Sequence, residues 1–248
     1  MMAAIVRREL RSLFSSPLAW VVLGAVQFLS AYIFFIHLED FLLQQEKMRA
    51  AGSTLGMSAY VFPRFFAPLS GLLLFVAPLL SMRMIASERS CATLRLLLSA
   101  PVSLLAVVLG KYLAALCLLT LSIAIIVCMP LALSFWVAVD AGALLLAAFG
   151  TWLCAATGLA VGLFFSALTR HTLSAAIASV SVLLLLWLIG SGNDAQLTAA
   201  TRFLSLPHHL QSFFSGLVDT RDVAYFVVCT ALCLALSVRQ LGGQRDSP

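Results

Sequence analysis

Few residues in this chain have the types and spacing that chemistry requires. Cys229 and Cys233 share a helical face at i, i+4, a spacing that can hold a metal ion. No further Cys or His stands near them in sequence, so the pair reads as small-residue packing. His208 and His209 offer a general base or ligand, but without a nearby nucleophile or carboxylate ligand they read as interfacial anchors. Gly110-Lys111 has the look of a phosphate loop, yet that loop needs a Gly five residues earlier and a Ser or Thr after the Lys. The chain offers Leu105 and Tyr112 instead. No nucleotide, cofactor or metal site is encoded, the chain reads as a non-enzyme, and any ATP must be bound by another chain.

The elements that carry these residues are apolar. Of 248 residues, 62% are hydrophobic and 10% charged, whereas soluble domains have roughly half apolar and about a quarter charged residues. A water-soluble fold could not cover that much apolar surface. The sequence predicts an all-α integral membrane protein, one transmembrane domain over residues 1–248 with about six spans. These run approximately 18–38, 65–85, 111–135, 142–168, 172–189 and 223–238. The first is too long for a secretory signal core, and no polar mature start follows Ala31, so it reads as an uncleaved span. Ahead of it, Ile5 to Phe14 sets Arg7, Arg8 and Arg11 among Ile5, Val6, Leu10, Leu13 and Phe14 at helical spacing, as in an N-terminal amphipathic surface helix. The six cysteines fall mostly inside apolar runs and imply no disulfide framework.

Charge sets the expected orientation, because cytoplasmic segments carry the excess of Lys and Arg. With both termini in the cytoplasm, the inner segments hold ten of the fifteen basic residues and three acids, a balance of +7. The outer segments hold Lys47, Arg49, Arg64, Arg202 and Arg221 against seven acids, a balance of −2. The basic excess thus reports topology in a bacterial cytoplasmic (inner) membrane, and nucleic acid is not an expected partner.

No Asp or Glu falls inside the six runs, which counts against a proton- or sodium-driven carrier. Lys111, at the start of the third, can snorkel to the headgroups. The fourth run places Gly150, Cys154, Gly158, Gly162 and Ser166 at every fourth position, a stripe that should face another helix, within the chain or across a dimer. Pro68, Pro78 and Pro130 interrupt the second and third spans. The segment from Arg202 to Asp222, rich in Phe and Leu around the two histidines, suits a helix resting on the outer leaflet.

The inner loop Ser87 to Ser103, SERSCATLRLLLSAPVS, sets Glu88, Arg89 and Arg95 on a polar side against Leu94, Leu97 and Leu98. It predicts a short amphipathic helix on the cytoplasmic face between spans two and three, or a plain surface connector. The run of Glu88 and Arg89, Ala92-Thr93-Leu94-Arg95-Leu96-Leu97-Leu98 and Pro101-Val102-Ser103 resembles ABC-2 type exporter permeases. The nearest likeness is to the gliding-motility permease branch called GldF-like. That family shows Gly at the position of Ala92 and Glu at that of Arg95. The likeness continues through RREL, Ser16-Pro17-Leu18-Ala19-Trp20, Gly110-Lys111, and the closing pattern from Phe203-Leu204-Ser205-Leu206 to Tyr225-Phe226.

The resemblance implies a six-helix permease subunit that couples ATP hydrolysis by partner subunits to export or movement of a substrate. Its implied partners are cytoplasmic ABC ATPases, which bind ATP and Mg, and a second permease copy or paralogous permease. An extracytoplasmic accessory protein is a further partner the family admits. In that family the N-terminal helix and first inner loop dock the ATPase, a role the likeness carries onto Arg7, Arg8 and Arg11 and onto Glu88, Arg89, Thr93, Leu94 and Arg95. The inner loop is then the cytoplasmic coupling helix. Arg95 in place of Glu reverses a charge at that contact. Two other functions fit the residues: mechanotransmission to an extracytoplasmic partner on the same fold, and an intramembrane enzyme or assembly factor using His208 and His209.

Overall fold

A backbone in lipid must satisfy its own polar groups, so each apolar run folds as a helix. The computed structural model describes residues 2–50, 56–90, 103–135, 139–169, 171–189 and 203–245. Among them every regular element is helical: α1 (Met2–Ser15), α2 (Pro17–Ala50), α3 (Met57–Ser90), α4 (Leu104–Ala132, ending in a short 3-10 turn), α5 (Ala141–Leu168), α6 (Thr172–Ile189), α7 (Leu206–Phe214) and α8 (Thr220–Arg245). Six of these, α2 to α6 and α8, are long and apolar enough to cross a bilayer. The chain is an all-α, multi-pass integral membrane protein.

The helices outrun the apolar windows. α2 continues from Leu38 to Ala50 because that stretch, although polar, holds neither Gly nor Pro and is rich in strong helix formers. α3 begins at Met57 rather than Phe65 and buries Tyr60, Val61 and Phe62 on the way in. The two extensions pack on each other, with Phe41 of α2 5.7 Å from Tyr60 of α3, and within α3 the Arg64 guanidinium sits 3.7 Å over the same Tyr60 ring. α4 begins at Leu104, where the Ser103 hydroxyl accepts from the Ala106 amide as N-cap. The Asp140 carboxylate caps α5 by accepting from Gly142 and Ala143 at 2.9 and 3.2 Å.

α5 is the axis of the bundle. Its most apolar window is 78% buried, against 22% for that of α2, as expected of a helix that is apolar all round and enclosed by others. It touches α3, α4, α6, α7 and α8. The small-residue stripe makes this enclosure close. A Cβ at Gly158 would meet the Leu74 carbonyl oxygen at 3.0 Å, and one at Gly162 would meet Pro78 Cα at 2.8 Å and the Ser81 hydroxyl. A Cβ at Gly150 would meet Phe213 at 2.7 Å. The stripe's partners are therefore α3 and α7 of the same chain. Phe28, Leu185 and Val228 face outward, where lipid is an adequate solvent for them.

Candidate coupling site at the α1 end of the bundle

α1 turns one face to the bundle and the other away from it. Ile5, Val6, Leu10 and Leu13 recur at helical spacing and are partly buried, while Arg7, Arg8 and Arg11 are exposed. The seat is α4. Gly110 allows the approach, since a Cβ there would meet Ile5 Cγ2 at 2.8 Å. One turn further along α1, the Glu9 carboxylate accepts from Lys111 Nζ at 3.1 Å, with Glu9 and Lys111 only 8% and 1% exposed. Lys111 is thus not a snorkelling lysine. A carboxylate from the N-terminal helix meets it inside the protein, which removes the need to reach the headgroups. Arg8 Nη2 donates to the same Glu9 oxygen at 3.0 Å from its exposed position.

The end of α3 that leads into the inner loop is tied down differently. Ser166, the last member of the α5 stripe, donates to the Met82 carbonyl at 2.9 Å and accepts from the Ile85 and Ala86 amides at 3.2 and 3.0 Å. One side chain of α5 thereby takes up backbone groups in the turns of α3 that follow Pro78. Glu88 and Arg89 fall in the final turn of α3, which runs on to Ser90 rather than giving way to a new helix at Ser87. Thr93, Leu94 and Arg95 lie outside the described residues. α1 and α3 also meet at a cavity lined by Arg8, Glu9, Ser12, Ser16, Arg83 and Lys111 on its polar side.

At the opposite end, α7 does not rest on the leaflet. Leu206, Leu210 and Phe213 are buried, and Phe213 reaches Gly150, nine residues into α5 and so about 14 Å along it. His209 is buried too, and Asp222 in the first turn of α8 is the carboxylate partner that its sequence neighbourhood concealed. His209 Nδ1 lies 2.7 Å from Asp222 Oδ1, and Nε2 lies 3.1 Å from the Phe203 carbonyl. Both partners are acceptors, so this geometry is satisfied when both ring nitrogens donate. Tyr225 stacks on the imidazole at 4.1 Å and donates to the Leu204 carbonyl. His208 is exposed. With both nitrogens engaged by the fold, His209 is a latch between α7 and α8 rather than an available base.

Cys229 and Cys233 lie on α8 partly buried, and among the described residues no group of three or more His, Cys, Asp and Glu could hold a metal ion. No curated protein matches the chain in sequence. A family model described as ABC-2 family transporter protein matches residues 3–239, from the start of α1 to the last turns of α8. With six membrane-spanning helices and that match over nearly its whole length, the chain belongs to the ABC-2 transporter family, whose members are membrane components of transporters.

Proposed function

We propose that the chain is the membrane subunit of an ATP-driven ABC-2 transporter, in which closure of partner ATPases that bind ATP and Mg is passed to the helix bundle through α1 and the inner loop. The observation that carries this reading is the seating of α1. The Glu9–Lys111 pair and the Ile5–Gly110 contact join it to α4, while Arg7 and Arg11 stay exposed and open to an acidic partner. A push on the outer face then moves α4 with α1. Ser166 supplies the second link, between the loop-proximal end of α3 and α5. In this reading both termini lie in the cytoplasm, the membrane is the bacterial inner one, and a second permease copy or paralogue completes the pore. Glu88, Arg89, Thr93, Leu94 and Arg95 contribute the loop side of the ATPase contact. Within the family, the RREL start and the closing pattern to Tyr225-Phe226 draw the chain toward the gliding-motility permease branch. The α2–α3 extension favours a second reading, mechanotransmission to an extracytoplasmic partner, because it offers a packed helical stalk at the far end.

The test is affinity purification in mild detergent from cells expressing the neighbouring genes, with identification of what co-purifies. A chain with a phosphate-binding loop is expected with the wild type. Arg7→Glu with Arg11→Glu, Glu88→Lys, or Arg95→Glu should leave the permease inserted but lower the recovered ATPase and its coupled hydrolysis, with the salt sensitivity of exposed charges. Full assembly and hydrolysis in all three variants would refute the proposed contact. Absence of any ATPase from the wild-type complex would refute the transporter reading.

A further inference from the structure

We infer that α3 is hinged at Pro78, and that Ser166 of α5 is the positioning residue that latches the turns beyond it, from Leu79 to Ser90. Three features of the backbone coincide there. Pro78 has no amide hydrogen for the Leu74 carbonyl one turn back, and the freed oxygen lies so close to α5 that a Cβ at Gly158 would meet it at 3.0 Å. The buried Ser81 hydroxyl donates back to the Ala77 and Pro78 carbonyls, both at 3.3 Å, a back-bonding that bends helices. The Ser166 hydroxyl then spans the next i, i+4 pair. It donates to the Met82 carbonyl at 2.9 Å and accepts from the Ala86 amide at 3.0 Å, with the Ile85 amide at 3.2 Å as a further donor. A side chain of one helix thus stands within the hydrogen-bond ladder of another, which is where helices kink.

Those two amides have other acceptors within α3. The Ser81 and Met82 carbonyls stand one turn before Ile85 and Ala86, so α3 can close its own ladder when the Ser166 hydroxyl withdraws. The segment therefore has two arrangements, tied to α5 or bonded to itself, and neither leaves these buried amides unpaired. Movement also needs room. Pro78, Ser81 and Ile85 lie on the α5 side, and helical spacing puts Leu79, Leu80, Arg83 and Met84 on the other, where they border the cavity of about 330 Å³ between α1 and α3. The latched turns carry Glu88 and Arg89 into the inner loop. Resting on the proposed function, the hinge is the joint through which a displacement of that loop reaches α5.

The experiment is hydrogen exchange of the full chain in mild detergent, read by mass spectrometry of peptic fragments. Ser166→Ala should speed exchange from Met82 onward about tenfold, the effect of losing one net hydrogen bond from a locally opening unit. The part of α3 before Pro78, and α5 itself, should keep their wild-type rates. Ser166→Cys fills the same space with a weak donor and should give the same local effect, so it also serves if Ser166→Ala fails to fold. Ser179→Ala removes a buried hydroxyl that bonds its own helix, at the Ala175 and Ala176 carbonyls, and should leave Met82 to Ser90 unchanged. Faster exchange along the whole of α3, unchanged exchange beyond Met82 in both Ser166 variants, or the same change in Ser179→Ala would overturn the hinge. In complex with the ATPase, the Ser166 variants should keep its recovery and the KM for ATP but lose the stimulation of kcat by the permease; full stimulation would overturn the positioning role. Failure to recover any ATPase with the wild type would count against the proposed function, while the exchange measurement, made on the permease alone, still decides the hinge.

Discussion

The Glu9–Lys111 pair offers the sharpest test of how α1 is held. At 3.1 Å and an effective dielectric of about 20, the Coulomb attraction is about 5 kcal/mol. Much of that is offset by the desolvation of two groups that are 8% and 1% exposed. Replacing Glu9 by Ala therefore does more than delete a contact, because it takes from the buried Lys111 ammonium the carboxylate 3.1 Å away, a loss of about 3 to 5 kcal/mol. The Glu9→Met, Lys111→Met double variant removes both charges and keeps apolar volume at the α1–α4 contact, so it should fall within about 1 kcal/mol of wild type. For a chain of this size, a kcal/mol corresponds to about 2 to 4 °C in the unfolding midpoint, so Glu9→Ala should melt roughly 10 °C below the double variant. Fluorescence-monitored thermal unfolding of wild type, both single variants and the double variant, in one detergent, closes the cycle. A double variant as unstable as the sum of the two single ones would mean that the charges do not interact, and the seating of α1 would then rest on its apolar face of Ile5, Val6, Leu10 and Leu13.

Two further outcomes test other contacts of the same bundle. Gly162→Ala should lower the midpoint, by an overpacking loss of about 1 to 3 kcal/mol, because its Cβ would strike Pro78 and Ser81; Gly24→Ala, with nothing within 4 Å, should be neutral or slightly stabilising, and equal midpoints would remove the stripe from the packing argument. His209→Phe keeps the ring stacked on Tyr225 but leaves the buried Asp222 without its nearest partner, so it should cost about 3 kcal/mol or more while Asp222→Asn, which keeps an acceptor, costs less; the reverse order in thermal unfolding would sink the latch.

What the sequence made legible was whatever depends on neighbours along the chain. The fourth run from Gly142 to Leu168 agrees with α5 to within a residue, since Asp140 caps it and its apolar window is unbroken. The stripe from Gly150 to Ser166 marked a contact face, although only the three-dimensional arrangement identifies α3 and α7 as what it faces. Span ends were less legible, because hydropathy falls at Glu39 and Asp40 while helix propensity does not. The long-range polar pairs were hidden. Glu9 stands among arginines and reads as part of a solvated face, and its partner is 102 positions away. His209 and Asp222 are 13 positions apart on two helices, and their pairing follows from the burial of α7, which its amphipathic pattern also allowed as a surface helix. The inner-loop motif around Thr93 to Arg95 rests on the sequence alone.

The unequal ends of the bundle bear on how the protein meets membranes of different thickness. α2 and α3 each have 34 residues, about 51 Å against a bilayer of about 40–45 Å including headgroups. At one end, α1 closes the structure with a fixed floor of arginines set by Glu9 and Lys111. At the other end the paired helices simply continue, with the Phe41 ring of α2 packed 5.7 Å from the Tyr60 ring of α3. Hydrophobic mismatch is therefore absorbed on one side only: a thicker leaflet climbs further up the α2–α3 hairpin, while the α1 floor keeps its depth.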